Sequence, residues 1–372
     1  MRLLYSYLIF ISLLFLSCSQ NSNSKKNNVD LVADSLPLFK PESVKITDDY
    51  SPEHPLEVLT IDNNCLNEEQ QLSLTTRQIN PWQILLKLFP GKQYVLLSKK
   101  SADTPGAQSD TLISWKCKNK VSNTKEDYPF PYENGVLTRL KSQSNYKDSK
   151  GNLFKIITFE HRSKEDLGDY LTGFSYLGVP ITIGVIKLAW VNNSWEIRTF
   201  QPNISSDDKY FGEVEELLEI GKDQYAISIQ SSSGETTVQS AGRTSYTLFA
   251  GINGKYRNVL QIKELNLTCP IGSWNGIVTV DKTQSKPLFK DVIVNIKGQC
   301  NHNEDDLLIY PEELESFMKK NKHIKSLDFT IKSTYTYNGT KYVIKSTPEV
   351  KTSNIKLADK SEQAEEFDNS EE

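Results

Sequence analysis

The chain has 372 residues, enough for one large or two ordinary domains with a real core, and its 15 Phe, 17 Tyr, 5 Trp and 24% charged residues exclude a wholly disordered, collagenous or multi-span membrane protein. Its 43 Lys and Arg stand against 47 Asp and Glu, a formal charge of -4 that leaves no electrostatic footprint for nucleic acid.

Residues 1 to 18 read MRLLYSYLIFISLLFLSC. Arg2 precedes an uncharged run from Leu3 to Leu16, shorter than the roughly 20 apolar residues of a bilayer span and suited to a secretory signal peptide. Ser17 and Cys18 at its end resemble the signal of bacterial lipoproteins, in which a small residue precedes a Cys that is lipidated on sulfur and becomes the N-terminus after cleavage. Phe15 and Leu16 depart from the common form, which has Leu three before the Cys and a small residue two before. The resemblance implies a diacylglyceryl group and an N-acyl chain on Cys18, and two or more chains give stable membrane attachment. With Ser19 after the Cys, it further implies a bacterial cell-envelope address at the outer membrane, facing the periplasm or cell surface. The alternatives are an ordinary signal peptide cleaved nearby and an uncleaved N-terminal anchor. The polar stretch SQNSNSKKNN that follows has the composition of a tether, so residues 18–40 are expected to be disordered.

Residues 41–135 read as a small mixed α/β region. In NPWQILLKLFPG, Asn80 can cap a helix, Pro81 suits its first turn, Ile84, Leu85 and Leu88 share a face, and Pro90 with Gly91 stops it. Leu66 to Leu74 suggests a further helical turn. QYVLLS from Gln93 and TLISWKC from Thr111 read as strands separated by a turn-rich loop. YPFPYENG, Tyr128 to Gly135, cannot be regular structure because Pro129 and Pro131 remove donors, and it marks a boundary.

Residues 136–353 are expected to form a β-rich domain. Strands follow one another from FKIITFEH near Leu153 to KYVIKST near Val350, and in YAISIQS the residues Tyr225, Ile227 and Ile229 alternate with Ala226, Ser228 and Gln230, as in a sheet with one buried face. Asn192-Asn193, Asn253-Gly254 and Asn338-Gly339 each precede an aromatic, the grammar of tight hairpins, at spacings too unequal for a regular repeat. YPEELESFMKKNK predicts one helix, opened by Pro311, acidic at its start and basic at its end, with Leu314, Phe317 and Met318 as its apolar stripe. The fold class expected is therefore mainly β, α+β in the N-terminal part: an antiparallel hairpin meander forming a sandwich, barrel or propeller-like body with one or two short covering helices. Residues 354–372 read as a disordered acidic tail, with seven carboxylates against Lys360 over residues 358–372. Without that tail and Arg2 the body holds 41 basic and 40 acidic residues, so the acidity belongs to the chain end.

Setting Cys18 aside leaves an even number of cysteines in an exported setting, for which the pairings Cys65 with Cys117 and Cys269 with Cys300 keep each loop inside one half of the chain. Free thiols and a metal site at Cys300 and His302 are the alternatives, but no CxxC or HxxxH spacing supports a metal. The four histidines, His54, His161, His302 and His323, lie far apart, and no nucleotide-binding glycine motif is present. GFSYLG, Gly173 to Gly178, has one residue too many for a hydrolase elbow, and DSKGN, Asp148 to Asn152, lacks the further ligands of a calcium loop. The densest acid-base mixture is FEHRSKEDLGD, which offers Glu160, His161, Asp166 and Asp169 as weak candidates if the loop folds back on itself. Trp190, Trp195, Tyr210, Phe211 and Trp274 are candidates for a partner-facing aromatic surface. No cofactor and no metal are implied.

These features together suggest a lipid-anchored cell-envelope protein with a binding, scaffolding or structural role, attached to the membrane through the lipid on Cys18 and directed at an envelope protein or glycan rather than nucleic acid. An exported hydrolase with a site assembled in the fold, and a toxin-inhibiting lipoprotein of the immunity type, are the competing readings.

Overall fold

The computed structural model describes residues 41–46, 52–62, 72–97, 109–118, 135–164, 182–204, 212–234, 242–269, 272–284, 288–301, 310–321 and 323–357. These form two open sheets, rich in antiparallel pairing, in a sandwich-like body with short covering helices. The first sheet contains β1 (Glu42–Lys45), β2 (Leu59–Ile61), β3 (Ser73–Leu74), β4 (Lys92–Leu97), β5 (Ser109–Cys117), β6 (Val136–Lys147), β7 (Leu153–Ser163), β8 (Thr182–Val191) and β9 (Ser194–Gln201). Their order is β1-β4-β5-β6-β7-β8-β9-β3, with β2 beside β5. Only the β1–β4 and β2–β5 pairs are parallel. The second sheet contains β10 (Gly212–Gly221), β11 (Gln224–Gly234), β12 (Gly242–Ile252), β13 (Lys255–Cys269), β14 (Gly272–Val280), β15 (Val292–Asn301), β16 (Ile324–Tyr337), β17 (Tyr342–Ile344) and β18 (Glu349–Leu357). It runs in chain order, with β17 and β18 both on β16.

The hairpin grammar of the sequence sets these connections. Asn192 and Asn193 hold φ of 49° and 62°, and Asn253 with Gly254 hold 51° and 79°, the two successive left-handed residues that match the twist of a two-residue hairpin. Asp223, at φ 60°, supplies the same geometry between β10 and β11. Asn80 Oδ1 accepts from Trp82 N at 2.9 Å to cap the helix Pro81–Leu88, whose Ile84, Leu85 and Leu88 are buried. A 3₁₀ turn, Glu312–Leu314, leads into the helix Glu315–Lys320, which buries Leu314 and Met318 against the second sheet.

Alternation along β7 divides the core of the first sheet. Ile157 and Phe159 face the helix Pro81–Leu88, together with Ile186 and Leu188 of β8. Ile156, with Ile183 and Val185, faces the other way and packs against Ile227, Ile229, Phe249 and Tyr256 of the second sheet. Polar clasps flank that apolar seam: Thr199 Oγ1 donates to Gly254 O at 3.0 Å, and Ser149 gives its N–H and its hydroxyl to the two carboxylate oxygens of Asp223. The second sheet curls over its own core, where Lys290 N donates to Ile220 O at 2.7 Å and Tyr342 Oη to Lys290 O at 3.0 Å.

Several expectations change. Trp115 of β5 is in register with Val136 of β6, so the first sheet runs through the region of Gly135; the change of sheet falls between Gln201 and Gly212. Asn354 to Leu357, expected at the start of the tail, complete β18. Ser73 and Leu74, expected within a helical turn, are strand, and the rest of that turn up to Gln71, like the tether and residues 358–372, lies outside the described residues.

Candidate binding surface

Strict alternation builds the outer face of the second sheet. β15 buries Val292, Val294, Ile296 and Cys300 and turns Asn295, Lys297 and Gln299 outward; β16 buries Leu327, Phe329 and Ile331 and turns Asp328, Thr330 and Lys332 outward. Register then aligns the outward residues into rungs. Ser273, Gln299, Asp328 and Ser353 form one, Asn275, Lys297, Thr330 and Lys351 the next, and Ile277, Asn295, Lys332 and Glu349 a third. Strand spacing puts the Cα atoms of Lys297 and Lys351 about 10 Å apart, either side of Thr330.

Ser273, Gln299 and Asp328 of the first rung and Asn275 and Lys297 of the second line an open groove of about 480 Å³, together with Leu267, Thr268, Trp274 and Gly298. Its floor is backbone. Gly298 lies in register with Trp274 and Phe329, and a Cβ there would come within 2.3 Å of both Ser273 O and Trp274 Cβ. The missing side chain lets Trp274 pack edge to face on Phe329 beneath the groove, ring centroids 6.1 Å apart, with its Nε1–H donating to Glu264 O at 3.3 Å. At the groove's border Asp328 Oδ2 accepts from Asn354 Nδ2 at 2.6 Å, and on the third rung, outside the groove, Lys332 lies 3.9 Å from Glu349. The groove offers amide and hydroxyl donors and acceptors with Lys297, and Lys351 stands further along the same rung, chemistry suited to an extended polar ligand rather than an enclosed apolar one.

The acid-base candidates of the sequence lie elsewhere and do not converge. Glu160 and His161 are adjacent in β7, and their side chains leave opposite faces of the sheet. Glu160 is fully buried: its Oε1 accepts from Arg139 Nε and Arg162 Nε, each at 3.0 Å, and its Oε2 lies 3.2 Å from Lys141 Nζ. Burial alone would raise its carboxyl, but the charges of Arg162, Lys141 and Arg139 outweigh that and hold it below the ordinary value. Arg139 also reaches Asp110 Oδ2 at 2.9 Å. His161 sits among Phe89, Trp115 and Phe159, with Nδ1 2.7 Å from Thr138 Oγ1, which also accepts from Trp115 Nε1 at 2.7 Å. Burial pushes its pKa down to about 3, only partly offset by the charge of Glu160, so the imidazole is neutral at any ordinary pH. Asp166 and Asp169 lie outside the described residues.

Other candidates resolve individually. Cys269 and Cys300 are both unbridged, which corrects the expected pairing. Each is in register with Gly272, on opposite sides of β14, so two strand spacings, about 10 Å, separate them where a disulfide needs less than about 7 Å between Cα atoms. Cys269 Sγ instead donates to Gly272 O at 3.1 Å, and burial raises the Cys300 thiol to about 12. Cys65, and with it the pairing to Cys117, lies outside the described residues, as do Cys18, His302, the GFSYLG segment, Tyr210 and Phe211. Trp195 and Trp274 are core residues rather than surface ones, and Trp190 packs edge to face on Trp195 beneath Arg77. In DSKGN the Asp148 carboxylate accepts from Lys150 N, Asn152 N and Asn152 Nδ2, a closed turn that uses the oxygens a metal would need. His54 Nε2 lies 3.6 Å from Glu42, and His323 is exposed.

The groove escaped sequence reasoning because it consists of residues brought side by side by strand register, although the outward polar residues of VIVNIKGQCN and LDFTIK were visible as alternation. Comparison of the chain with family models, with curated proteins and with solved structures found no match.

Proposed function

We propose that the chain is a lipid-anchored protein of the bacterial cell envelope, tethered through Cys18, whose β body binds or scaffolds an extended polar partner, a glycan or a segment of an envelope protein, on the outer face of its second sheet. The observation that carries this reading is the uncharged run from Leu3 to Leu16, ended by Ser17 and Cys18 and followed at once by a polar tether. The rungs of amide, hydroxyl and lysine side chains around the groove support the binding half, because an open polar surface with a backbone floor suits a polymer that lies along it. The geometry of Glu160 and His161 gives no support to a hydrolase built on that pair, since the strand between them keeps one from the other's substrate.

One experiment addresses both halves. Cells expressing the chain with a photo-crosslinker in place of Asn275 are labelled with fatty acid, irradiated and fractionated. Labelled protein in the membrane fraction, lost to the soluble fraction without label in Cys18→Ala, is the expected result for the anchor. A glycan or an envelope protein crosslinked at position 275, but not from the exposed turn at Lys150, is the expected result for the surface. Unchanged fractionation of Cys18→Ala rejects the anchor, and equal capture at the two positions rejects the surface.

A further inference from the structure

Charge is spread unevenly over the outer face of the second sheet. On the third rung Lys332 and Glu349 offset each other, and beside the groove the Asp328 carboxylate is tied to Asn354 Nδ2. The rung between them, Asn275, Lys297, Thr330 and Lys351, differs: both lysines are exposed, and among the described residues no carboxylate pairs with either. Lys297 and Lys351 are each in register with Thr330, so both side chains leave the same face from positions two strand spacings, about 10 Å, apart. Paired strands hold that spacing fixed.

The surroundings select what those two cations meet. The groove is lined in turn by β13, β14, β15 and β16, so it runs across the strands and toward Lys351 on β18. The strands under the rung from β14 to β16 are paired on both sides, so no free backbone is offered there to an added peptide strand. Trp274 and Phe329 are turned into the core, so no aromatic face is offered for stacking a base or a neutral sugar ring. What remains is a row of hydroxyl, amide and carboxylate groups, suited to the many hydroxyls of a sugar chain, with cations at a set interval. That interval is the length of one extended disaccharide. In an equatorially linked glycan successive rings alternate in facing, so a group carried on every ring returns to the same side once per disaccharide.

Taking the groove as the binding surface, we infer that its ligand is an acidic glycan that lies across the strands and presents one carboxylate per disaccharide to the sheet, consecutive ones seated on Lys297 and Lys351. Ser273, Gln299 and Asp328 on the neighbouring rung exchange hydrogen bonds with its hydroxyls. Both ion pairs are exposed, so binding weakens with salt, and the spacing of the lysines supplies the selectivity.

Titration of the full chain in detergent with an oligomannuronate, and with the neutral manno-oligosaccharide of the same length and linkage, tests it. The acidic chain should bind about tenfold more tightly, and high salt should remove the difference. Lys297→Gln and Lys351→Gln should each weaken its binding about threefold. Lys297→Gln combined with Thr330→Lys keeps the charge but brings the two cations onto adjacent strands, about 5 Å apart, and should bind no better than Lys297→Gln alone. Full recovery in that double variant would show that net charge and not spacing is read, and overturns the inference. Equal binding of the two glycans, lost in Asn275→Trp, also overturns it but leaves the groove as the binding surface. Binding of neither overturns it as well, and capture of an envelope protein by the crosslinker at position 275 would then make a protein segment the occupant of the groove.

Discussion

At the scale of single residues, His161 and Glu160 show how one step along a strand separates two chemistries. The imidazole enters an aromatic pocket and stays neutral, whereas the carboxylate enters a cluster of three cations and stays charged. Both groups have native pKa values below their unfolded ones, about 6.5 for His and about 4.3 for Glu, so on acidification the unfolded chain binds protons first. Stability therefore falls as the pH drops through about 6.5 toward 3 for His161, and falls further as the pH approaches the depressed value of Glu160. The slope from His161 is about 1.4 kcal/mol per pH unit across its window. His161→Gln removes that titration while keeping a polar group for Thr138, and the gap in urea stability between the two chains should narrow as the pH is lowered from 6.5 to 4. A gap independent of pH would mean that the native imidazole titrates normally. Cys269 and Cys300 teach a related lesson: an even count of cysteines permits pairing, but register about Gly272 decides whether the thiols can meet.

At the scale of elements, local signals that carry their own chemistry were legible. Asn80 and Pro81 announce a helix because they satisfy and pre-set its first turn, and Asn-Asn and Asn-Gly announce hairpins because few residues accept positive φ. β6 was not legible: from Ser142 to Lys147 its sequence is polar apart from Tyr146, and it is a strand because β7 pairs with it along nearly its whole length. Gly298 is also invisible as a packing site in sequence, although β14 and β15 depend on it. Gly298→Val should push Trp274 off Phe329 and cost about 1 to 3 kcal/mol, the usual range for overpacking, read as a lower denaturant midpoint with altered tryptophan fluorescence. An unchanged midpoint would show that the backbone there is free to give way.

At the scale of the whole molecule, the two sheets have separate cores and share one apolar seam, with Phe249 and Tyr256 on one side and Ile156 and Val185 on the other. Phe249→Ala should cost about 3 to 5 kcal/mol. Because the seam is what links the sheets, it should also split a single unfolding transition into two, with Trp115 and Trp195 reporting on the first sheet and Trp274 on the second. Coincident transitions at a lowered midpoint would mean that the clasps at Ser149–Asp223 and Thr199–Gly254 suffice to couple them. The sequence by itself determined the β class, the hairpin positions, both covering helices and the near-neutral charge of the body, because each follows from the propensity or pattern of neighbouring residues. Only the tertiary structure decided where the sheets divide, which thiols stand apart, which face receives Glu160 and which His161, and that Lys297 and Lys351 share a rung. Those facts depend on strand register, and a one-residue slip, which local sequence leaves open, would reverse every one of the faces involved.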